Sequence, residues 1–185
     1  VVCVRGGSGA ARLLPLLDHA GKAVLPAWMS LREEPHLRRG HGSGAFDSEG
    51  VATVASDLVR DGVLQRYVLG SYSARKLGLE STGNAGGIHN LVANANAGDF
   101  ADLVSRMGSG LVVTELMGQG VNLVTGDYSR GAAGFWVEDG AIAYPVEEIT
   151  IAGNLRQMLL GIEAVGSDVD HRSHILCGSI LLGRM

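Results

Sequence analysis

The segment Phe135-Trp-Val-Glu-Asp-Gly-Ala-Ile-Ala-Tyr144 contains two apolar runs that are separated by the pair Asp139-Gly140. Aspartate and glycine both tolerate positive φ, so this arrangement predicts a β-hairpin with a tight turn. A second pair, Asp61-Gly62, lies between two apolar runs earlier in the chain and predicts another hairpin. Because hairpins join antiparallel strands, these two segments predict a mainly antiparallel sheet.

Further strands and short helices are predicted on both sides of these hairpins. The predicted strands are Leu111–Leu116, as a buried strand, Glu147–Ala152, and Ile175–Leu182 around Gly178. The predicted helices are Ser71–Leu79 with Ser71 as N-cap, Phe100–Met107 stopped by Gly108, and Asn154–Ile162 with Asn154 as N-cap. We therefore expect an α+β fold with a dominant, strongly curved antiparallel sheet, sandwich- or barrel-like, and a few short helices.

Composition is that of a globular domain with many turns. Of the 185 residues, 46% are hydrophobic, 18% are charged and 28 are glycine, about twice the usual share. A chain of this size buries enough surface for one core, so we expect a single domain over 1–185. The chain begins at Val1 rather than Met and stops soon after the apolar run Ile180–Leu182, so we expect a fragment cut at both ends.

Charge and cysteine content exclude several classes of protein. The net charge is −4 and the basic residues are scattered, whereas a nucleic-acid surface needs clustered Lys and Arg. No apolar run reaches the roughly 20 residues that span a bilayer. Two cysteines, Cys3 and Cys177, are too few for a disulfide scaffold. We expect a cytoplasmic protein without nucleic-acid or membrane partners.

Two motifs, one rich in glycine and one containing histidine, have some features of cofactor or metal sites. Gly7–Arg12 has arginine where a dinucleotide fingerprint has its third glycine, and no βαβ unit follows, so no dinucleotide is predicted. His171 and His174 would point to opposite faces of an extended segment, which favours polar loop residues leading into a buried Cys177. No His-Glu-x-x-His motif occurs. We predict no catalytic residue, metal ligand set or cofactor in this chain.

The segment Thr114-Glu115-Leu116-Met117-Gly118-Gln119-Gly120 has a different character. A strand that ends in two glycines exposes backbone N–H and C=O groups that side chains do not cover. Such an edge can accept an extended peptide as an added strand with little sequence preference. The alternative is an ordinary strand and turn. For the turn that follows, Thr125–Gly131, an Asp127–Arg130 ion pair is the favoured interpretation.

Several blocks of sequence resemble, in order, the C-terminal region of the TldD/PmbA family on its PmbA (TldE) side. These blocks are Ser71–Gly78, Ser81–Gly87, Thr114–Gly120, Gly126–Gly134, Ile149–Leu155, Val165–Asp168 and Cys177–Ser179. They extend over about 13–185 without large gaps. Many collinear blocks are more specific than any one short motif.

The resemblance implies a two-subunit zinc metallopeptidase that cleaves unfolded peptides bound as strands. A TldD-type subunit carries zinc on a His-Glu-x-x-x-His helix and a downstream cysteine, and the PmbA-type subunit lacks the metal-binding histidines. Cys177 lies where the catalytic subunit has its cysteine ligand and is expected to be a vestigial position. The associated roles are maturation of peptide antibiotics and degradation of an antitoxin.

Three hypotheses follow for this chain. The first is a non-catalytic subunit that cradles the peptide along Thr114–Gly120, with zinc in its TldD-type partner. The second is a self-sufficient metallopeptidase whose metal helix lies upstream of residue 1. The third is a regulatory protein acting on DNA gyrase, as an older family label, modulator of DNA gyrase, suggests.

Overall fold

A computed structural model describes residues 19–122 and 125–183 of the chain. The motif Gly7–Arg12 and Cys3 lie outside the described residues. The described chain forms two compact units. The hairpin unit comprises 95–122, 125–169 and 177–183, and the five-strand unit comprises 19–94 and 170–176. The single domain expected over 1–185 stays a prediction.

The described elements are mostly short strands, with three helices among them. In chain order they are β1 (Leu31–Glu33), β2 (Ser56–Arg60), β3 (Val63–Leu64), α1 (Ser71–Leu77), β4 (Leu91–Ala93), α2 (Phe100–Met107), β5 (Gly110–Met117), β6 (Asp127–Glu138), β7 (Ala141–Asn154), α3 (Leu155–Leu160), β8 (Ile162–Val165), β9 (Ile175–Leu176) and β10 (Ile180–Leu182).

The five-strand unit is built on one sheet with the order β3-β2-β1-β4-β9. Asp61 and Gly62 have φ values of 50° and 77°, and they form the turn between β2 and the antiparallel β3, which confirms the hairpin predicted at Asp61-Gly62. Strand β1 is also antiparallel to both β2 and β4, whereas β9 joins the edge parallel to β4. The sequence pattern indicated neither β1 nor β4.

The hairpin unit contains a three-stranded antiparallel sheet with the order β5-β6-β7. Asp139 and Gly140, with φ values of 49° and 74°, form the turn between β6 and β7 and confirm the hairpin predicted at Asp139-Gly140. Both strands are longer than predicted, β6 with 12 residues and β7 with 14. The predicted strands Ala141–Tyr144 and Glu147–Ala152 are both parts of β7. In the same unit, β8 pairs with β10.

Both outer strands of this sheet carry a bulge opposite Ala133 of β6. On β5, Thr114 is the extra residue between two regular pairs. On β7, Glu147 and Glu148 both lie opposite Ala133, and Glu148 has a φ of 56°. Bulges bend strands and increase their twist. The expected α+β fold with mainly antiparallel, curved sheets is confirmed, and the sheets are open rather than closed into a barrel.

A small apolar core connects helix α2 to the three-stranded sheet. Val104 of α2 packs with Val112 of β5 and Val137 of β6, and Phe100 and Met107 flank them. The helix covers the predicted span Phe100–Met107, and Asp99 caps it by accepting a hydrogen bond from the N–H of Asp102 at 3.1 Å. Apolar residues at helical spacing therefore fix one side of the sheet against α2.

Two predicted helix boundaries differ from the structure. The N-cap of α1 is Gly70 rather than Ser71, because the Ser71 backbone N–H donates to the Glu49 carboxylate at 2.8 Å instead. Helix α3 is capped by Asn154 as predicted, but it ends at Leu160. Ile162, predicted as the helix end, begins β8.

The predicted strand Ile175–Leu182 is wrong as one element. It is divided into β9 and β10, which belong to different sheets. Between them, Gly178 lies against the carbonyl of Gly166, and Ser179 is hydrogen-bonded to Asp168. These contacts bend the chain after Cys177, so a continuous strand cannot form.

Asp47 couples the stability of the five-strand unit to pH. Burial raises the pKa of this carboxyl, but hydrogen bonds from the N–H groups of Ala85, Val51 and Glu49 outweigh that effect and lower it below the usual 3.8. Since the folded pKa is the lower one, the ionised group stabilises the fold above about pH 4, and this contribution is lost as the pH falls through the folded pKa.

We expect Asp47→Asn to lower the free energy of unfolding at pH 6. We also expect the variant to lose less stability than the wild type between pH 6 and pH 3. Urea unfolding at a series of pH values measures both effects, and parallel profiles for variant and wild type would contradict the expectation.

No helix among the described residues is long and apolar enough to cross a membrane.

Candidate functional site

Strand β5 is an edge strand of the three-stranded sheet. It pairs with β6 on one side, and no described strand pairs with its other side. The prediction that Leu111–Leu116 is a buried strand is wrong, since only Val112 is buried and Thr114 and Glu115 are exposed. The reason is that only one face of β5 packs on the core, where Val112 contacts the α2 cluster. An edge strand of this kind offers its backbone to another extended chain.

The predicted peptide-binding segment Thr114–Gly120 comprises the second half of β5 and the turn after it. Gly118 follows the strand with a φ of 76°, a left-handed conformation that favours glycine. Gly120 then returns to β6, where its carbonyl accepts a hydrogen bond from the Ser129 N–H at 2.7 Å. A Cβ at residue 120 would overlap the Ser129 carbonyl oxygen. The two glycines thus have different roles, one in the turn and one in close backbone contact.

Arg130 holds the end of β5 in place. Its Nη2 donates to the Gly118 carbonyl at 2.6 Å and more weakly to the Leu116 carbonyl at 3.4 Å. Its Nε is buried without a hydrogen-bond partner among the described residues. Hydrogen bonds from a charged donor are stronger than neutral ones, so this side chain fixes the path of the chain from β5 into the turn.

The expected Asp127–Arg130 ion pair is not formed. Asp127 instead accepts a hydrogen bond from the Thr125 hydroxyl at 2.6 Å. Residues three apart on a strand point to opposite faces, and both side chains belong to β6. The Asp127 carboxylate therefore forms its hydrogen bond at the Thr125 end of the turn between β5 and β6, and the Arg130 guanidinium forms its hydrogen bond at the Gly118 end.

Cys177 is half-buried, and it forms no disulfide within the described residues. The residues after it are fixed by Asp168, whose carboxylate accepts hydrogen bonds from the Ser179 hydroxyl at 2.6 Å and from the Ser179 N–H at 3.1 Å. Ser179 is buried, and Gly178 has no room for a side chain against Gly166. The turn at Cys177 is thus a rigid structural feature of the hairpin unit.

The described residues do not provide a ligand set for zinc. Across 19–122 and 125–183, no three or more His, Cys, Asp or Glu side chains are positioned to hold a metal ion. A zinc site needs three or four converging donors. The expectation that zinc is bound by the partner subunit, with Cys177 a vestigial position, stays a prediction.

A buried carboxylate in the five-strand unit was not indicated by the sequence pattern. Glu33 of β1 is 1% exposed, and its carboxylate is paired with the Arg66 guanidinium. It also accepts hydrogen bonds from the Asn84 side-chain amide and the His89 N–H, both at 2.7 Å, and lies 3.0 Å from His89 Nδ1. All of its partners are polar groups from two other segments, the one after β3 and the loop between α1 and β4, so the network connects these segments to β1 and is structural in character.

Comparison with protein families identifies the chain. Residues 3–185 match the family described as the PmbA/TldA metallopeptidase C-terminal domain. The chain belongs to this family. The match covers nearly the whole length, in agreement with the collinear blocks of the resemblance.

Three relatives show what the chain is similar to. The metalloprotease PmbA of Escherichia coli O157:H7 is 56% identical over 100% of this chain, which covers 41% of that relative. A Thermotoga maritima structure, described as a proposed modulator of a DNA gyrase, matches 94% of the chain and 42% of its own with a TM-score of 0.82 and 37% identity. TldE from Thermococcus kodakarensis matches 91% of the chain and 41% of its own with a TM-score of 0.78 and 25% identity. The chain spans about two fifths of the length of these relatives.

Proposed function

We propose that this chain is the C-terminal part of a non-catalytic subunit of a TldD/TldE-type zinc metallopeptidase, in which it cradles unfolded peptide substrates. A TldD-type partner subunit supplies the zinc and the general base. The similarity to PmbA and to TldE supports the assignment of the chain to this side of the family.

The observation that carries the proposal is the open edge of β5. An extended peptide can pair with this edge through main-chain hydrogen bonds, which give affinity without selecting a sequence. Arg130 holds the end of the strand, and the packing of Val112 on α2 fixes its middle, so the edge is rigid before a peptide arrives. A preorganised edge reduces the ordering that binding requires. An unfolded substrate, whose backbone groups are free to pair, is the ligand that fits such an edge.

The test is hydrolysis of an unstructured peptide by the full-length protein alone, by the TldD-type subunit alone and by the mixture. We expect cleavage by the mixture only. The controls are two versions of the same peptide, one N-methylated at the odd-numbered backbone nitrogens and the other at the even-numbered ones. The N–H groups of a strand point alternately to its two sides, so one version loses the N–H groups that face β5 and the other keeps them.

Two results would overturn the proposal. Cleavage by the full-length protein alone, at the rate of the mixture, would show that its own chain carries the metal site. Equal cleavage of both N-methylated peptides would show that the substrate does not bind as an added strand.

Regulation of a topoisomerase is a second candidate function, favoured by the description of the Thermotoga maritima structure. With a net charge of −4 on the chain, contact with the enzyme is a better expectation than contact with DNA. Co-precipitation of purified DNA gyrase with the full-length protein would support it, and a clean separation of the two by gel filtration would count against it.

A further inference from the structure

An open groove of about 360 Å³ lies at the end of the β5–β6 hairpin. It is lined by Gln119, Gly120, Val121, Asn122, Asp127 and Ser129. Gln119 and Gly120 are also the last residues of the candidate peptide-binding segment. The groove therefore lies at the turn just beyond the end of β5.

The groove has one formal charge, the carboxylate of Asp127. This residue is exposed, and its carboxylate accepts a hydrogen bond from the neutral hydroxyl of Thr125 at 2.6 Å. No Lys, Arg or His of the described chain forms an ion pair with it. Arg130, the nearest cation along the strand, donates to backbone carbonyls of β5 instead. Within 19–122 and 125–183, no cation neutralises the negative charge in the groove.

The surroundings of the groove reinforce this charge. The described residues of the hairpin unit include ten Asp and Glu but only three Arg and no Lys, whereas the five-strand unit is nearly balanced. The net charge of −4 is thus concentrated in the unit that contains β5. A field of one sign favours ligands of the opposite sign and speeds their encounter.

We propose that the groove binds the Lys or Arg side chain of a peptide whose backbone pairs with β5, so that Asp127 gives the cradle a preference for cationic peptides. This inference rests on the proposed function and adds a determinant of specificity to it. Main-chain hydrogen bonds with β5 give affinity whatever the peptide sequence, and the groove selects the one side chain that lies beyond the end of the strand.

The test uses the full-length protein mixed with its TldD-type partner and a set of unstructured peptides. The peptides are identical except that a single Lys replaces a Gln at one position in each. We expect a higher kcat/KM, by about two- to fivefold, for the peptide with Lys at one position, as for an exposed ion pair. The preference should decrease between 50 mM and 500 mM salt, because the site is open to solvent.

Variants at Asp127 assign the preference to this carboxylate. Asp127→Asn keeps an oxygen that accepts from Thr125 but removes the charge, and it should bring the Lys/Gln ratio to about one. Asp127→Glu keeps the charge and should keep most of the preference. Asp139→Asn is the matched control, because it removes the same charge from the same unit at a turn where Asn also tolerates positive φ. It should leave the ratio unchanged.

The ratio of two peptides on one preparation does not depend on how much of a variant is folded. A preference that survives in Asp127→Asn, or equal rates for all Lys positions in the wild type, would overturn the groove assignment while the N-methylation result still supports pairing with β5. Loss of the phase dependence on N-methylation would instead remove the proposed cradle itself. The two failures are therefore distinguishable.

Discussion

Replacing Glu33 by alanine is expected to lower the stability of the five-strand unit by about 3–5 kcal/mol. The substitution leaves the Arg66 guanidinium, whose side chain is 18% exposed, without its counter-charge. It also removes the acceptor for the Asn84 amide and for the His89 N–H. Breaking a buried pair by deleting one partner costs far more than the pair contributes, because the remaining charge stays buried.

The neighbouring glutamate supplies the control. Glu34 forms an ion pair with Arg32 in which both side chains are partly exposed, so Glu34→Ala should cost less than about 1 kcal/mol. Hydrogen exchange of the amides in β1, β2 and β4 of the full-length protein measures the local free energy of opening for both variants. Equal effects of the two substitutions would show that the Glu33 network does not stabilise the sheet.

Gly134→Ala is the second substitution with a large expected effect. A Cβ at this position of β6 would overlap the backbone carbonyl oxygen of Val112 on β5. A flexible side chain could move aside, but a backbone carbonyl in a paired strand cannot move without separating the two strands. We expect a loss of about 3 kcal/mol, at the upper end of the range for overpacked sites, and a parallel loss of peptide cleavage by the complex.

Gly131, three residues earlier on the same strand, is the matched control. A Cβ there would lie 3.4 Å from the Met117 Cβ, which is an ordinary van der Waals contact. Gly131→Ala should therefore leave stability within about 0.5 kcal/mol of wild type, or raise it slightly by restricting the unfolded chain. Urea unfolding and cleavage assays on both variants provide the comparison. Similar behaviour of the two would contradict the close packing of β5 on β6.

The features that the sequence predicted correctly depend on local chemistry. Both Asp-Gly turns require positive φ within two residues, and the structure has it at Asp61, Gly62, Asp139 and Gly140. Helix α2 was predicted to the residue because its apolar spacing and Gly108 both lie within ten residues. The collinear blocks predicted the family from motifs along the whole chain, and the family match confirms it.

The features that were missed depend on contacts between distant parts of the chain. Glu33 is 33 residues from Arg66, 51 from Asn84 and 56 from His89, and nothing in the charged segment around it shows that this carboxylate alone is buried. Likewise, an apolar strand has the same sequence pattern whether it has one neighbouring strand or two. The sequence therefore predicts β5 as buried, although it lies at an edge of its sheet. The peptide-binding role of Thr114–Gly120 stays a prediction.

The bulge at Thr114 limits how long a peptide the open edge of β5 can accept. One extra residue exchanges the faces on which side chains lie, so Val113 and Glu115, although two apart, project to opposite sides of the sheet. A regular extended peptide has no matching insertion and can keep its register on only one side of Thr114. Because β5 has four residues before Thr114 and three after it, the footprint is about three or four residues, or roughly 10–13 Å at the rise of a β-strand. In the proposed cradle, so short a footprint would let a peptide dissociate once fewer residues remain than the edge can pair.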